Sequence, residues 1–143
     1  MLLVLGRLIY LSITSNAPET RLINGALRPC PGTPNCVSSE ENESSRKVIP
    51  FSYTDSAQQA WSRLRSAIEA SGGEIKVAEE AYIRATYTSR IFRFVDDMEF
   101  RLVTDGQVIH VRSGSRVGKS DLGVNRKNVE KVRLLFSNSK LYQ

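Results

Sequence analysis

The sequence predicts an α+β fold, a two-layer sandwich in which two helices cover one face of a mostly antiparallel sheet of about five strands. Three observations lead to this expectation. Four strand-like runs follow one another between residues 74 and 113, the turn signal Asp105-Gly106 separates the last two, and two other stretches repeat apolar residues at helical spacing. The predicted order of elements is β-α-β-β-β-β-α.

The first strand and the first helix are predicted from residues 48–71. Val48 to Tyr53 is rich in β-forming residues, and Asp55 followed by Gln58 has the spacing of a helix capping box. The helix ends at the stop signal Ser71-Gly72-Gly73. Its predicted apolar face comprises Ala57, Ala60, Trp61, Leu64, Ala67 and Ile68, and its predicted polar face Gln58, Gln59, Arg63, Arg65 and Glu69.

The strand-like runs are EIKVA, AYIRATYTS, RIFRFVDDMEFRLV and QVIHVRS. Alternation places Ile83, Ala85 and Tyr87 on one face of the second run. In the third run Phe92, Phe94, Met98, Phe100 and Leu102 share a face, opposite Arg93, Asp97, Glu99 and Arg101. Because both helices are expected on the apolar face, the charged face is left to solvent or to a ligand.

The last helix is predicted from about Arg126, with Asn125 as its N-cap. Val129, Val132, Leu135 and Phe136 repeat at helical spacing and form its apolar face.

Asp96 is the acidic residue that falls on the apolar face of the third run. A buried carboxylate must be paired, hydrogen-bonded or neutralised. Two interpretations are open: a bulge at Val95-Asp96-Asp97 turns the side chain outward, or Asp96 pairs with Arg116 or Arg126. Asp96 and Asp97 are not expected to act together as general acid and base, since neighbouring strand residues point to opposite faces.

Length and composition indicate one domain with an irregular N-terminal arm. A chain of 143 residues suffices for one core, and 41% hydrophobic with 24% charged residues is ordinary for a folded soluble protein. We divide the chain into an apolar N-terminal segment and linker (1–26), a Cys/Pro-rich arm (27–47), an α+β domain (48–137) and a C-terminal tail (138–143).

The apolar run MLLVLGRLIYLSI predicts membrane contact through residues 1–13, or export. It is shorter than the roughly 20 residues that span a bilayer. Arg7 interrupts it, Ala17-Pro18 is a poor cleavage site, and no lipobox precedes Cys30. A degenerate signal, a membrane-surface anchor and an element packed on the domain all fit. We expect an extracytoplasmic or membrane-associated location over a cytoplasmic one.

Cys30 and Cys36 lie in RPCPGTPNCVSS, whose prolines predict an ordered irregular loop. Five intervening residues allow a disulfide in an oxidising compartment, while reduced structural thiols or a reactive thiol are the alternatives. A zinc site would need four ligands, and the chain offers only these cysteines and His110. We therefore expect no metal site and no cofactor.

The net charge of +5 arises from one segment. This basic patch favours an anionic partner such as a phosphate group, a lipid headgroup or an acidic protein face, although a solvated helix face is the alternative. Nucleic acid is not an expected partner, because no aromatic platform accompanies the charge. The cations are Arg112, Arg116, Lys119, Arg126, Lys127, Lys131 and Arg133, against Asp121 and Glu130.

The stretch SGSRVGKSDLGVNR superficially resembles a phosphate-binding Walker loop. Ser113 stands where the first glycine is required, and Gly114 comes one place too late, so we reject nucleotide hydrolysis. What remains is a loop rich in hydrogen-bonding groups before a helix N-terminus that could bind an anion, or a loop whose groups satisfy one another. The candidate ligand-binding residues are Ser113, Ser115, Arg116, Ser120, Asp121, Asn125 and Arg126, together with Asp96.

Three blocks in this order, CPGTPNCVSS, FRFVDDMEF and VRSGSRVGKSDLGVNRKNVEKVR, resemble the bacterial and plastid proteins grouped as domain of unknown function 1499. The resemblance covers about residues 27–136. It implies a fold and a shared motif surface but no reaction. Members of that family are often exported, lipid-anchored or membrane-tethered, which agrees with the apolar start.

The leading functional hypothesis is a non-enzymatic envelope or membrane-associated accessory domain, whose Arg116–Arg126 loop binds an anionic ligand or a protein partner. The alternative is an enzyme in which Asp96, Asp121 and Arg116 converge on a small substrate, assisted by Cys30 or His110. Nucleic-acid binding by the basic last helix ranks third.

Overall fold

The computed structural model describes residues 2–18 and 22–139. The helices are α1 (Leu2–Thr14), α2 (Ala57–Ala70) and α3 (Val124–Asn138). The strands are β1 (Leu22–Ile23), β2 (Ala26–Leu27), β3 (Cys36–Ser38), β4 (Phe51–Ser52), β5 (Glu74–Ala78), β6 (Tyr82–Thr88), β7 (Val95–Val103) and β8 (Val108–Ser115). The predicted α+β class is confirmed.

The main sheet has six strands and runs in the order β3-β8-β7-β6-β5, with β4 also paired to β8. All of its strand pairs are antiparallel, and β6, β7 and β8 pair without a register shift. β1 and β2 form a separate hairpin. The prediction included neither strand of this hairpin, and the strand of the main sheet that it lacked is β3, because the prolines around it made the arm look irregular.

The core lies between α2, α3 and one face of the sheet. Leu64 and Ile68 from α2 and Val129 and Val132 from α3 are fully buried against the strands. The Phe51 ring lies 5.9 Å from that of Phe100 and 5.6 Å from that of Phe136. Each such side chain contributes roughly 1.5–3 kcal/mol through burial. Ile83, Ala85 and Tyr87, which alternation placed on one face of β6, all belong to this core.

The N-terminus of α2 differs from the prediction by one residue. Ser56 is the N-cap, and its hydroxyl accepts a hydrogen bond from the Gln59 backbone while the Gln59 side chain accepts one from the Ser56 backbone. Asp55 instead accepts two hydrogen bonds from Arg63, both at 2.8 Å. Arg63 was expected on the polar face but is only 5% exposed, because it lies between α2 and α3.

The predicted starts of the third strand-like run and of the last helix were also wrong. The run was expected from Arg90, but β7 begins at Val95, because residues 89–94 form a turn that Ser89 closes through hydrogen bonds to Phe94. Phe92 and Phe94 are therefore outside the strand.

The third helix, α3, begins at Val124 after the N-cap Gly123, whose φ of 80° suits glycine. Asn125, predicted as the cap, lies inside the first turn and is fully buried.

The first helix, α1, lies against the start of β7. Its Ser12 hydroxyl accepts a hydrogen bond from the Val95 backbone at 2.8 Å. Just beyond it, the Ser15 carbonyl accepts one from the Arg116 guanidinium at 3.0 Å. Within the described residues, none of the helices combines the length and apolar character needed to cross a bilayer.

Candidate functional site

The sheet face opposite α2 and α3 carries charged side chains that are largely withdrawn from solvent. Glu99 is 0% exposed, Asp97 2% and Arg112 6%. The N-terminal arm lies over this face, and its Leu27 backbone and Glu40 side chain are joined by a hydrogen bond of 2.8 Å. This face, which was expected to meet solvent or a ligand, is therefore partly buried beneath the arm.

Glu99 is the centre of the first charged cluster. Its carboxylate accepts hydrogen bonds from Arg28 at 2.9 Å, from Arg112 at 3.2 Å and from the Tyr82 hydroxyl at 2.7 Å. Burial and the adjoining Glu99 raise the pKa of Tyr82, so this hydroxyl stays protonated and donates. Burial, and then the charge of Arg28, lower the pKa of Arg112, which is nonetheless cationic at neutral pH.

Asp97 is the centre of the second cluster. It accepts a two-pronged interaction from Arg116, with Nε at 2.7 Å and Nη2 at 2.9 Å, and a further bond from Arg84 at 3.0 Å. The hydrogen bond to Asp97 raises the pKa of Arg116. Of the two open interpretations of Asp96, pairing with Arg116 or Arg126 is wrong. Arg116 reaches across the strand end to Asp97 on the opposite face, and Arg126 bonds to backbone carbonyls.

A cleft of about 540 Å³ opens between these clusters and the arm. The prediction of a disulfide is confirmed, since Cys30 and Cys36 are bonded with their sulfurs 2.08 Å apart. Each cluster joins two arginines to one carboxylate and so carries an excess positive charge. Residues lining the cleft include Arg28, Pro29, Cys30, Cys36, Asp97, Arg112, Gly114 and Arg116.

A second pocket, of about 460 Å³, lies on the other face of the same strand end. Its walls are mainly apolar and come from α1, the 89–94 turn and residues 117–124. The polar members are Ser89, Asp96, Ser115, Ser120 and Asp121. Asp96 is 7% exposed and pairs in register with Ser115, so there is no bulge that turns it outward. Burial, followed by the charges of Asp121 and Asp97, raises the pKa of Asp96, and a hydrogen bond with Ser115 opposes the shift.

Most candidate loop residues bond to one another. Asp121 accepts hydrogen bonds from the backbones of Gly123 and Asn125, both at 2.9 Å. The Asn125 amide donates to Asp121 at 2.7 Å and to Ser115 at 2.9 Å, and its carbonyl accepts from Ser113 at 2.6 Å. Ser113 and Asn125 are completely buried. These contacts fix the loop to the end of β8.

The remaining candidates lie apart. Ser120 is exposed, and its hydroxyl accepts a hydrogen bond of 3.4 Å from the Leu122 backbone. Arg126 donates to the carbonyls of Lys47 and Ser45, at 3.0 and 2.9 Å, and does not line the cleft. Gly114 lies in β8, where an added Cβ would come within 3.3 Å of the Cys36 sulfur and of the Arg112 guanidinium.

The three residues of the enzyme hypothesis are divided between the two faces. Asp96 and Asp121 line the second pocket, and Arg116 lines the cleft. Cys30 is held in the disulfide, and His110 bonds to Ser39 at 3.0 Å with its pKa lowered by burial. Within residues 2–18 and 22–139, no group of three or more His, Cys, Asp and Glu side chains could hold a metal ion.

Sequence reasoning did not single out Arg28, Arg84 or Glu99 as site residues. Alternation placed Glu99 on the charged face, which was a usable signal, but nothing in the pattern showed that the arm would cover it. Arg28 lies 71 positions from Glu99 along the chain, so its contribution depends on tertiary structure.

Fold and cleft together define a class of small α+β domain in which a disulfide-bonded arm closes over arginines and carboxylates on the open face of an antiparallel sheet. A family model described as "Protein of unknown function (DUF1499)" matches residues 26–136. The chain belongs to this family, and the resemblance carried by the three sequence blocks is confirmed. A search of curated proteins finds no match to the chain.

Proposed function

We propose that the protein is a non-enzymatic binding domain of the cell envelope or a membrane surface, whose cleft takes a small ligand bearing carboxylate or phosphate groups. The two charged clusters, centred on Glu99 and Asp97, supply the electrostatic attraction for an anion. Arg28 and Arg112 share Glu99, while Arg84 and Arg116 share Asp97, so each cluster carries one positive charge more than it neutralises.

The observation that carries the proposal is the buried guanidinium of Arg112, one of whose donors lacks a hydrogen-bond partner among the described residues. Its side chain is 7% exposed, its Nη1 bonds to Glu99, and its buried Nε has no hydrogen-bond partner among the described residues. The Nε of Arg28 is in the same state. Burying a charged donor without a partner is costly. An anion in the cleft would provide acceptors for these guanidinium groups, whose planar donor sets match carboxylate and phosphate oxygens.

The disulfide supports the proposed location. Cys30 and Cys36 both line the cleft, so the bond shapes the wall of the binding site. Disulfides form and persist in oxidising compartments, outside the cytoplasm in most organisms. The adjoining Ser15 and Asn16 place the end of α1 at the mouth of the same cleft. These features favour an extracytoplasmic domain next to a membrane.

Isothermal titration calorimetry with inorganic phosphate and with citrate tests the proposal. Arg116→Lys keeps the charge that pairs with Asp97 but loses the planar pair of donors, and Arg112→Gln removes a cleft charge. Each substitution should weaken anion binding about tenfold, the effect of losing one charged hydrogen bond.

Arg126→Gln is the matched control, because Arg126 belongs to the same basic segment but lies outside the cleft. It should bind as the unaltered protein does. If the folded protein binds neither anion, or if Arg126→Gln weakens binding as much as Arg116→Lys, the proposal is wrong. Thermal unfolding of each variant separates lost binding from lost structure.

A further inference from the structure

Exposed apolar side chains concentrate at one end of the molecule. Ten of the thirteen large hydrophobic side chains exposed in the described residues come from α1, the 89–94 turn and the 117–124 loop. We call these three segments the apolar rim. The ten are Leu2, Leu3, Val4, Tyr10, Leu11, Ile13, Ile91, Phe92, Leu122 and Val124. A concentration of exposed apolar side chains marks a candidate interaction surface.

The segments of the apolar rim meet at the second pocket. Leu5 and Leu8 from α1, Phe92 from the turn, and Leu122 and Val124 from the loop all line it. The bond between the Ser12 hydroxyl and the Val95 backbone holds α1 beside the turn. The three segments that carry the exposed side chains therefore adjoin one another.

The composition of α1 is that of a helix covered on all sides. Leu2 is 85% exposed and Leu3 91%, on a helix whose one charged side chain is Arg7. A helix that is apolar around its circumference is normally buried in a core or in lipid. At 13 residues α1 is about 20 Å long, which is too short to cross the hydrocarbon core but sufficient to lie along its surface.

The charges of the apolar rim select the partner. Arg7, Arg90, Arg93 and Lys119 are exposed on its three segments, and Asp121 is the sole acidic residue of these segments. Asp121 is already bonded to the backbones of Gly123 and Asn125. A second copy of the chain would bring four like charges against four, whereas anionic lipid headgroups would pair with them.

Leu122 adds an independent observation. It is 88% exposed and has a φ of 54°, in the left-handed region that L residues other than asparagine and aspartate rarely occupy. The loop thus adopts a disfavoured backbone conformation with a large apolar side chain directed into solvent. Insertion between lipid chains would bury the exposed Leu122 side chain in an apolar environment.

We infer that the apolar rim docks the protein on an anionic bilayer surface, with Ile91 and Leu122 inserting beside α1 and the four cations at the headgroups. This inference rests on the proposed membrane association and names its surface and its lipid class. Anchoring is thereby shared between the N-terminal helix and two loops of the α+β domain.

Co-sedimentation of the full chain with vesicles tests the inference. Vesicles of phosphatidylcholine alone are compared with vesicles that also contain phosphatidylglycerol. The protein should sediment mainly with the anionic vesicles, and added salt should release it. Ile91→Ser with Leu122→Asn should lower the vesicle partition coefficient roughly tenfold, and Arg90→Gln with Arg93→Gln should lower it about tenfold or more. Leu122→Asn should leave the melting temperature unchanged or raise it, because asparagine tolerates this φ.

Ile49→Ser with Leu134→Ser is the matched control, since these side chains are 75% and 62% exposed but lie outside the apolar rim. That variant should bind vesicles normally. The inference fails if the loop variants bind like the unaltered protein while Leu2→Ser with Leu3→Ser abolishes binding, which would assign anchoring to α1 alone. It also fails if the protein ignores vesicles and instead dimerises in an Ile91- and Leu122-dependent manner. Arg112→Gln, which removes a cleft charge without a bond to α1 or to either loop of the apolar rim, should retain vesicle binding, which separates this inference from the anion cleft.

Discussion

Asp96 and Asp97 are neighbours with opposite environments, since alternation along β7 directs one to the apolar side of the sheet and the other to the cleft. Asp97 is bonded to Arg84 and Arg116. Within the described part of the chain Asp96 has Ser115 as a hydrogen-bonding neighbour and Asp121 as a charged one. The two carboxyl groups should therefore affect stability in opposite directions.

The pKa of Asp96 is raised in the folded protein, chiefly by burial. Its stabilising contribution is complete below the unfolded-state pKa of about 3.9 and is lost as pH rises through the higher folded-state pKa. Asp96→Asn resembles the protonated acid. At neutral pH it should increase the free energy of unfolding by on the order of 1 kcal/mol, and the difference should vanish below about pH 3.

Urea unfolding followed by the fluorescence of Trp61, the single tryptophan, measures this difference across the pH range. Asp97→Asn is the companion variant and should destabilise by about 3 kcal/mol at neutral pH, because two partly buried arginines lose their shared, buried carboxylate. A loss of stability in Asp96→Asn at neutral pH would show that the ionised carboxylate supports the fold.

At the scale of single residues, the sequence predicted which face of the sheet each acidic side chain occupies, but not which residues it pairs with. Alternation correctly put Asp96 on the apolar face and Asp97 with Glu99 on the other. Arg116 pairs with Asp97 because of where the chain turns after β8. Arg28 pairs with Glu99 because of how the arm folds back over the sheet. Neither is encoded in a local pattern.

At the scale of elements, periodicity predicted both domain helices and the strands β5 to β8. The starts of both domain helices were misplaced, in each case because a polar residue that could cap the helix forms other contacts. Asp55 fits a helix cap by spacing, but it pairs with Arg63, and Ser56 takes the cap. Asn125 likewise fits a cap but lies buried among Asp121, Ser113 and Ser115, leaving Gly123 at the helix start.

Arg63 should stabilise the packing of α2 on α3. It bonds to Asp55 and to the Phe136 carbonyl, and its guanidinium lies 4.1 Å from the centre of the Phe136 ring. Arg63→Gln should lower the free energy of unfolding by about 3 kcal/mol, because it breaks the ion pair with Asp55 and the buried hydrogen bond to the Phe136 carbonyl that joins α2 to α3.

Arg65→Gln on the same helix is the control, since Arg65 is exposed and its loss should change stability by less than about 0.5 kcal/mol. Thermal or urea unfolding of both variants makes the comparison. Equal stability of the two would show that the contacts of Arg63 add nothing beyond those of a solvated arginine.

At the scale of the whole molecule, the arm of residues 27–47 converts an open sheet face into a cleft. β3 adds a strand beside β8, and the Cys30–Cys36 disulfide fixes the segment that follows Arg28. Composition could suggest the disulfide, but not that the arm would pair with the sheet. Covering this face is what withdraws Glu99 and Arg112 from water and gives them their unusual environment.

The disulfide should therefore support both stability and anion binding. It closes a short loop, with a sequence separation of 6, for which the loss of chain entropy in the unfolded state corresponds to about 2 kcal/mol. Cys30→Ser with Cys36→Ser should destabilise the protein by about that amount. Because both sulfurs belong to residues that line the cleft, the variant should also bind phosphate and citrate more weakly.

Reduction of the unaltered protein with dithiothreitol should reproduce both effects, and reoxidation should reverse them. Vesicle binding provides the internal control, since the apolar rim contains neither cysteine and α1 is held to β7 by the bond between the Ser12 hydroxyl and the Val95 backbone. A variant that keeps full anion affinity would show that the arm holds its position through β3 alone. A variant that loses vesicle binding as well would show that the arm and the apolar rim depend on one another, so that the domain responds to reduction as a single unit.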